Sequence, residues 1–148
     1  IFFQPKNLKM KKIFFTIIVT IICMIQIQAQ TTDLQLIEKT VMHYFDGMIN
    51  HNSESIEKAF HPSATMKWNG EKFMEVNALN AISDYINSND AVKMKASIVA
   101  INIVGDAANA HLKLEYETFY FVDFMHLMKI EGEWKIISKT YTTVKKDF

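Results

Sequence analysis

The feature that most constrains this chain is a change of hydrophobic period near residue 92. Before it, apolar side chains return every three or four residues: Leu34, Ile37, Val41, Phe45, Met48 and Ile49 make one helical stripe. After it they alternate. Ala110, Leu112, Leu114 and Tyr116 are interleaved with His111, Lys113, Glu115 and Glu117. Period two puts one set on each face of a sheet, with one of the faces polar. Helices first and strands afterwards define an α+β chain.

The punctuation divides the two halves further. Asn50-His51-Asn52-Ser53 stops the first helix, and Asn52 or Ser53 can cap a short second one with Ile56, Ala59 and Phe60 on its apolar side. Pro62 limits that helix, because the residue before proline leaves helical space. Ala64–Trp68 reads as a short strand, Asn69-Gly70 as a turn and Lys72–Val76 as the return. Asn77 caps a third helix bearing Leu79, Ile82 and Ile86. Strands then follow over Lys93–Val104, Ala110–Tyr116 and Phe119–Ile130. In the last strand Trp134, Ile136 and Ser138 alternate with Lys135, Ile137 and Lys139. Gly105-Asp106 and Glu131-Gly132 supply turns. Such an antiparallel meander, strongly bent around the long first helix, encloses a conical cavity.

The first 29 residues read differently. Met10-Lys11-Lys12, the apolar run Ile13–Ile25 and the small Ala29 have the layout of a secretory signal, with Ile1–Lys9 as an upstream extension. The apolar run is shorter than the roughly 20 residues a bilayer span needs. Lipidation of Cys23 is disfavoured by the bulky Ile22 before it. The expected product is one domain, residues 30–148, secreted or periplasmic.

Lys6, Lys9, Lys11 and Lys12 are four of the sixteen basic residues, and residues 1–29 hold no acid. The remainder therefore carries a formal charge of about −4. It contains no arginine, the residue best suited to phosphate, so nucleic acid is excluded as a partner. It also contains no cysteine. An exported domain without disulfides relies on packing or on oligomerisation.

Tyr44-Phe45-Asp46-Gly47-Met48, then Ala59-Phe60-His61-Pro62 with Ala64, resembles the helical half of the nuclear transport factor 2-like superfamily. Asp123, Leu127, Lys129, Gly132, Trp134-Lys135-Ile136 and Lys139 resemble its closing hairpin. The pattern is most similar to the subgroup called putative lumazine-binding proteins. The resemblance implies a cone of N-terminal helices on a strongly bent sheet, akin to the SnoaL-like and cystatin-like folds and often dimeric through the open sheet face. Steroid isomerases of this superfamily use a first-helix tyrosine, an aspartate base on the first strand and a protonated carboxyl on a long strand. Carried over, these positions fall at Tyr44, at Trp68 and within about a residue of Asp123. Tryptophan accepts no proton, so the base is missing.

Tyr44, His126 and Asp123 are the candidates for acid–base chemistry. His126 shares strand parity with Phe124 and Met128, which places it inward, while Asp123, three residues away, falls on the other face. Each candidate also has a plainer reading: Tyr44 as a core aromatic whose hydroxyl finds a partner, Asp123 as a carboxylate holding backbone amides at a strand bend. Trp68 and Trp134 read as core or cavity wall. The chain has no HExxH, no Cys–His cluster, no nucleophile elbow and no phosphate or dinucleotide loop, so neither a metal nor a cofactor is expected.

An aromatic-rich chain without a complete acid–base set points to a binding or accessory protein. A small aromatic or heterocyclic ligand would contact Tyr44, Trp68, Tyr116, Asp123 and His126. Two other readings stay open: a small dehydratase, cyclase or isomerase using His126 with Tyr44, and a non-catalytic dimeric scaffold.

Overall fold

A computed structural model describes residues 32–147; the segment read as a secretory signal and Cys23 lie outside the described residues. The first helix, α1, spans residues 32–50. His51 ends it in the left-handed region (φ 52), and the amide of Asn52 donates to the Gly47 carbonyl at 3.1 Å. This is a Schellman closure, in which the left-handed residue lets the chain bond back over the last turn. Asn52 then caps α2 (Ser53–Ala59) by accepting from the Ser55 amide. Asp46 accepts from Asn50, Asn52 and the Ser55 hydroxyl, and these bonds hold its carboxyl below the usual range.

β1 (Phe60–Asn69) begins directly after α2 and turns into β2 (Phe73–Asn77). It starts four residues earlier than the sequence pattern predicts and carries Pro62. Its pairing with the neighbouring strand is irregular between Phe60 and Thr65, which leaves room for a residue without an amide donor. Asn77 caps α3 (Ala78–Ser88), accepting from the Asn80 amide at 2.9 Å. The meander follows as β3 (Lys95–Val104), β4 (Ala107–Glu115), β5 (Phe119–Ile130) and β6 (Glu133–Lys145). Glu131 (φ 51) and Gly132 (φ 87) form the two-residue β5–β6 turn, and both adopt the positive φ that a hairpin turn of matching twist requires.

The six strands form one sheet in the order β2-β1-β6-β5-β4-β3. All pairs are antiparallel except β1 with β6, so the sheet is mixed where an all-antiparallel one was expected. β1 enters from the helices rather than from a hairpin, and this sets its direction. One inserted residue in β3 near Val99 and another in β6 near Ile137 interrupt the register, and such bulges bend and twist a sheet. The helices cover one face. Ile37, Val41, Tyr44 and Phe45 of α1 and Ile82 and Ile86 of α3 pack on Phe60, Leu112, Leu114, Met125, Leu127 and Ile136. The Thr40 hydroxyl pins α1 by donating to the Trp134 carbonyl at 2.8 Å. Among the described residues no helix is long and apolar enough to cross a membrane.

Gly47 is required where α1 meets α2. A Cβ there would lie 2.2 Å from Cδ1 of Ile56, a fully buried side chain. We expect Gly47→Ala to lower unfolding stability by about 1–3 kcal/mol, despite the better helix propensity of alanine. Ile56→Val removes the clashing methyl and should recover part of that loss in the double variant, a coupling measurable by denaturant midpoints. A Gly47→Ala protein as stable as the parent would refute the close approach.

Candidate functional site

β5 brings Phe121, Asp123, Met125 and Leu127 to the inner face, beneath the helices. Leu112 of β4 and Tyr141 of β6 stand opposite Asp123 on either side. α1 crosses above and lays Tyr44 onto it. The Tyr44 hydroxyl donates to Asp123 Oδ2 at 2.8 Å. Lys139 Nζ forms an ion pair with the same oxygen and donates to the Tyr44 hydroxyl at 3.1 Å. The ammonium also sits 5.3 Å from the Tyr44 ring centre and 4.9 Å from that of Tyr141, within cation–π range. Asp123 is 0% exposed and Lys139 5%.

Burial governs the proton affinities. It drives the Tyr44 hydroxyl well above its usual range, and the charge and hydrogen bond of Asp123 push it the same way. Burial lowers Lys139, with Asp123 opposing. The second oxygen, Asp123 Oδ1, is buried with no hydrogen-bond partner among the described residues. Leaving a buried acceptor unmet costs about 1–3 kcal/mol. Asp123 therefore bonds no backbone amide at a strand bend. It is an acceptor held by a lysine and a phenol, with one oxygen still to be satisfied.

A row of aromatic rings continues along this face. Trp68 stacks on Tyr141 at 5.6 Å, Tyr141 meets Phe121 edge-on at 5.5 Å, and Phe121 meets Tyr116 at 5.6 Å. Phe119 closes the row by stacking on Tyr116 at 4.7 Å. Burial pushes the Tyr116 hydroxyl up to about 12. Depressions open at both ends of the row. One of about 540 Å³ is bordered by Phe119, Phe121 and Thr143, and one of about 490 Å³ by Trp68, Gly70 and Met74.

The structure thus brings Tyr44 and Asp123 into direct contact and sets Trp68 and Tyr116 on the same wall. His126 is not among them. It is exposed, on the outer face with Phe124 and Met128, which corrects the inward placement expected from parity. β5 is apolar on both faces, so apolar company did not mark the inner side, and the inward set contains the carboxylate instead. His126 and Tyr44 consequently do not converge on one point.

Lys139 is the residue that strand alternation conceals. Trp134 and Ile136 face inward, and strict alternation would send residue 139 outward. The extra residue at Ile137, opposite the His126–Leu127 step, reverses the parity and turns Lys139 and Tyr141 inward. Its presence in the closing hairpin motif was the available signal. Among the described residues no three His, Cys, Asp or Glu side chains are grouped as a metal site.

A helix-covered, bent six-stranded sheet with its polar groups on the inner wall is the nuclear transport factor 2-like architecture. The profile of the family described as "Putative lumazine-binding" matches residues 32–142, and the chain belongs to that family. Solved structures agree. An NTF2-like protein of unknown function from Shewanella baltica OS155 is 29% identical, covers 76% of this chain and 94% of its own, and superposes with a TM-score of 0.71. A second, from Methylobacillus flagellatus KT, is 28% identical over 76% of this chain and 92% of its own, with a TM-score of 0.69. A ketosteroid isomerase-like protein from Erwinia carotovora atroseptica SCRI1043 is 12% identical over 77% and 98%, with a TM-score of 0.64, a likeness of fold alone. No curated protein matches the chain.

Removing one partner of the buried pair should be costly and removing both should not. Lys139→Met is expected to lose about 3–5 kcal/mol, and Asp123→Leu with Lys139→Met to recover most of it, both read from denaturant unfolding. Equal stability of the single variant and the parent would contradict the pairing. The tyrosines set the alkaline limit. Tyr44, Tyr116 and Tyr141 all have raised folded-state values, so their stabilisation is complete below about pH 10 and is lost as pH climbs through the folded values, near 12 for Tyr116. Thermal midpoints should fall between about pH 10 and 12, less steeply in Tyr116→Phe; an unchanged slope in that variant would refute the assignment.

Proposed function

We propose that the protein is a secreted binding protein whose inner wall receives a small planar aromatic or heterocyclic ligand carrying an N–H or O–H donor. The observation that carries this reading is Asp123 Oδ1, a fully buried acceptor on an aromatic wall without a partner among the described residues. A flat ring stacked along Trp68 and Tyr141 would supply the missing donor. Lys139 and Asp123 compensate each other, which favours a ligand without net charge. The family description points the same way, since lumazine is a flat heterocycle with N–H donors. Export rests on the Met10–Ala29 segment, and fractionation of the producing cell would test it.

Titrating lumazine against tryptophan fluorescence tests the binding. We expect saturable quenching that is lost in Trp68→Leu and weakened by about tenfold or more when Asp123→Leu and Lys139→Met are combined, the worth of one hydrogen bond to a charged acceptor. Absent quenching, or undiminished affinity in the double variant, would refute the assignment.

The outer face supports a second copy of the chain as a partner. Phe124 and Met128 are 41% and 42% exposed at its centre, with Phe124 stacked on His111 at 4.8 Å. Charged side chains of this face are held in pairs: Glu115 with Lys113 at 3.0 Å and Lys146 at 2.9 Å, which hold its carboxyl at about 2, and Lys67 with Glu75 at 3.3 Å. Sedimentation should show a dimer at micromolar concentration and a monomer for Phe124→Glu; a monomeric parent protein would exclude this role.

A further inference from the structure

We propose that Lys139 forms a reversible imine with an aldehyde- or ketone-bearing planar ligand, an inference that rests on the ligand-binding reading above. Among the described residues Lys139 is the one buried lysine; the others are half-buried or exposed. Its Nζ has exchanged water for two ring faces, one phenol and one carboxylate. A nucleophilic amine needs this setting: little hydration, a base to take its proton and an acid to protonate the departing oxygen. Burial lowers the proton affinity of the amine, in the direction that favours attack.

The neighbours supply every proton transfer. The Lys139 ammonium passes one proton to Asp123, leaving a neutral amine beside a carboxylic acid. The nitrogen lone pair adds to the carbonyl carbon. The C–N bond forms, the C=O π bond breaks, and the oxygen takes a proton from the Tyr44 hydroxyl, which Nζ already touches. Tyr44 recovers its proton from the nitrogen of the adduct. The neutral carbinolamine then expels its hydroxyl, which leaves as water with the proton held by Asp123. The product is a protonated imine facing the Asp123 carboxylate, so amine and carbonyl have become imine and water with no oxidant or reductant consumed.

Two observations separate this arrangement from a purely structural ion pair. A structural pair gains from satisfying all its lone pairs, yet Asp123 Oδ1 has no partner among the described residues and stays available to a ligand donor, while Oδ2, already paired with Lys139, takes the transferred proton. The ammonium also lies against the aromatic row. Tyr141 lies under the ammonium and stacks on Trp68, which borders a depression, so a planar carbonyl compound entering beside Trp68 would approach the amine along that row.

The full chain is incubated near pH 7 with salicylaldehyde and cyanoborohydride, and the reduced adduct is located by intact-mass and peptide mass spectrometry. We expect one adduct, at Lys139, absent in Lys139→Arg, which keeps the cation without the nucleophilic amine. Tyr44→Phe should slow its formation about a hundredfold, the usual contribution of a positioned general acid. Labelling spread over exposed lysines, or unchanged in Lys139→Arg, would overturn the inference. Salicyl alcohol, which has the ring and hydroxyl but no carbonyl, separates the two readings by quenching of tryptophan fluorescence. Quenching by the alcohol with no Lys139 adduct from the aldehyde rejects the imine and leaves the binding reading standing. Neither quenching nor adduct rejects both.

Discussion

Asp123 lies without solvent exposure at the centre of an apolar face, and the contacts that make this tolerable also tie the fold together. Tyr44 reaches it from α1 and Lys139 from β6, so one carboxylate joins the helical layer to two adjacent strands. The energetics are close to balanced. An attraction of about 4 kcal/mol between opposite charges at contact in an effective dielectric of 20 stands against a desolvation cost of several kcal/mol for each ion. Leucine and methionine would fill the same space without that cost. A chain that keeps the charged version, with an acceptor oxygen to spare, keeps it at the price of stability, as the proposed binding role for the inner wall would require.

One residue of register makes the cluster possible. β6 presents Trp134 and Ile136 to the core, and the bulge at Ile137 lets the same strand present Lys139 and Tyr141 to that face. Without it, the cation would be on the outer face and Asp123 would be buried alone. The same bulge bends the sheet beneath α1. The bend in the sheet and the cation that neutralises Asp123 therefore share one cause.

The two faces of the sheet divide the chemistry. The inner one holds the ionisable cluster and the row of five rings. The outer one holds His126, Phe124 and Met128, all exposed. The catalytic pair of His126 with Tyr44 is excluded by this division, because the sheet itself separates them.

The sequence by itself determined the α+β class, the helix stops at Asn50–Ser53, the caps at Asn52 and Asn77, and the Gly105 and Gly132 turns. These depend on local backbone chemistry, which a few neighbouring residues specify completely. Tyr44 and Asp123 were legible as candidates because a tyrosine on a core helix and a carboxylate within an apolar strand each demand a partner. Only the tertiary structure decided who the partners are. It brought Lys139 inward, sent His126 outward, paired β1 parallel to β6 and left Asp123 Oδ1 unmet. Each of these depends on which strand lies beside which, and in what register. A single inserted residue reverses the facing of everything after it, and alternation of apolar residues records no such insertion in a strand whose two faces are equally apolar.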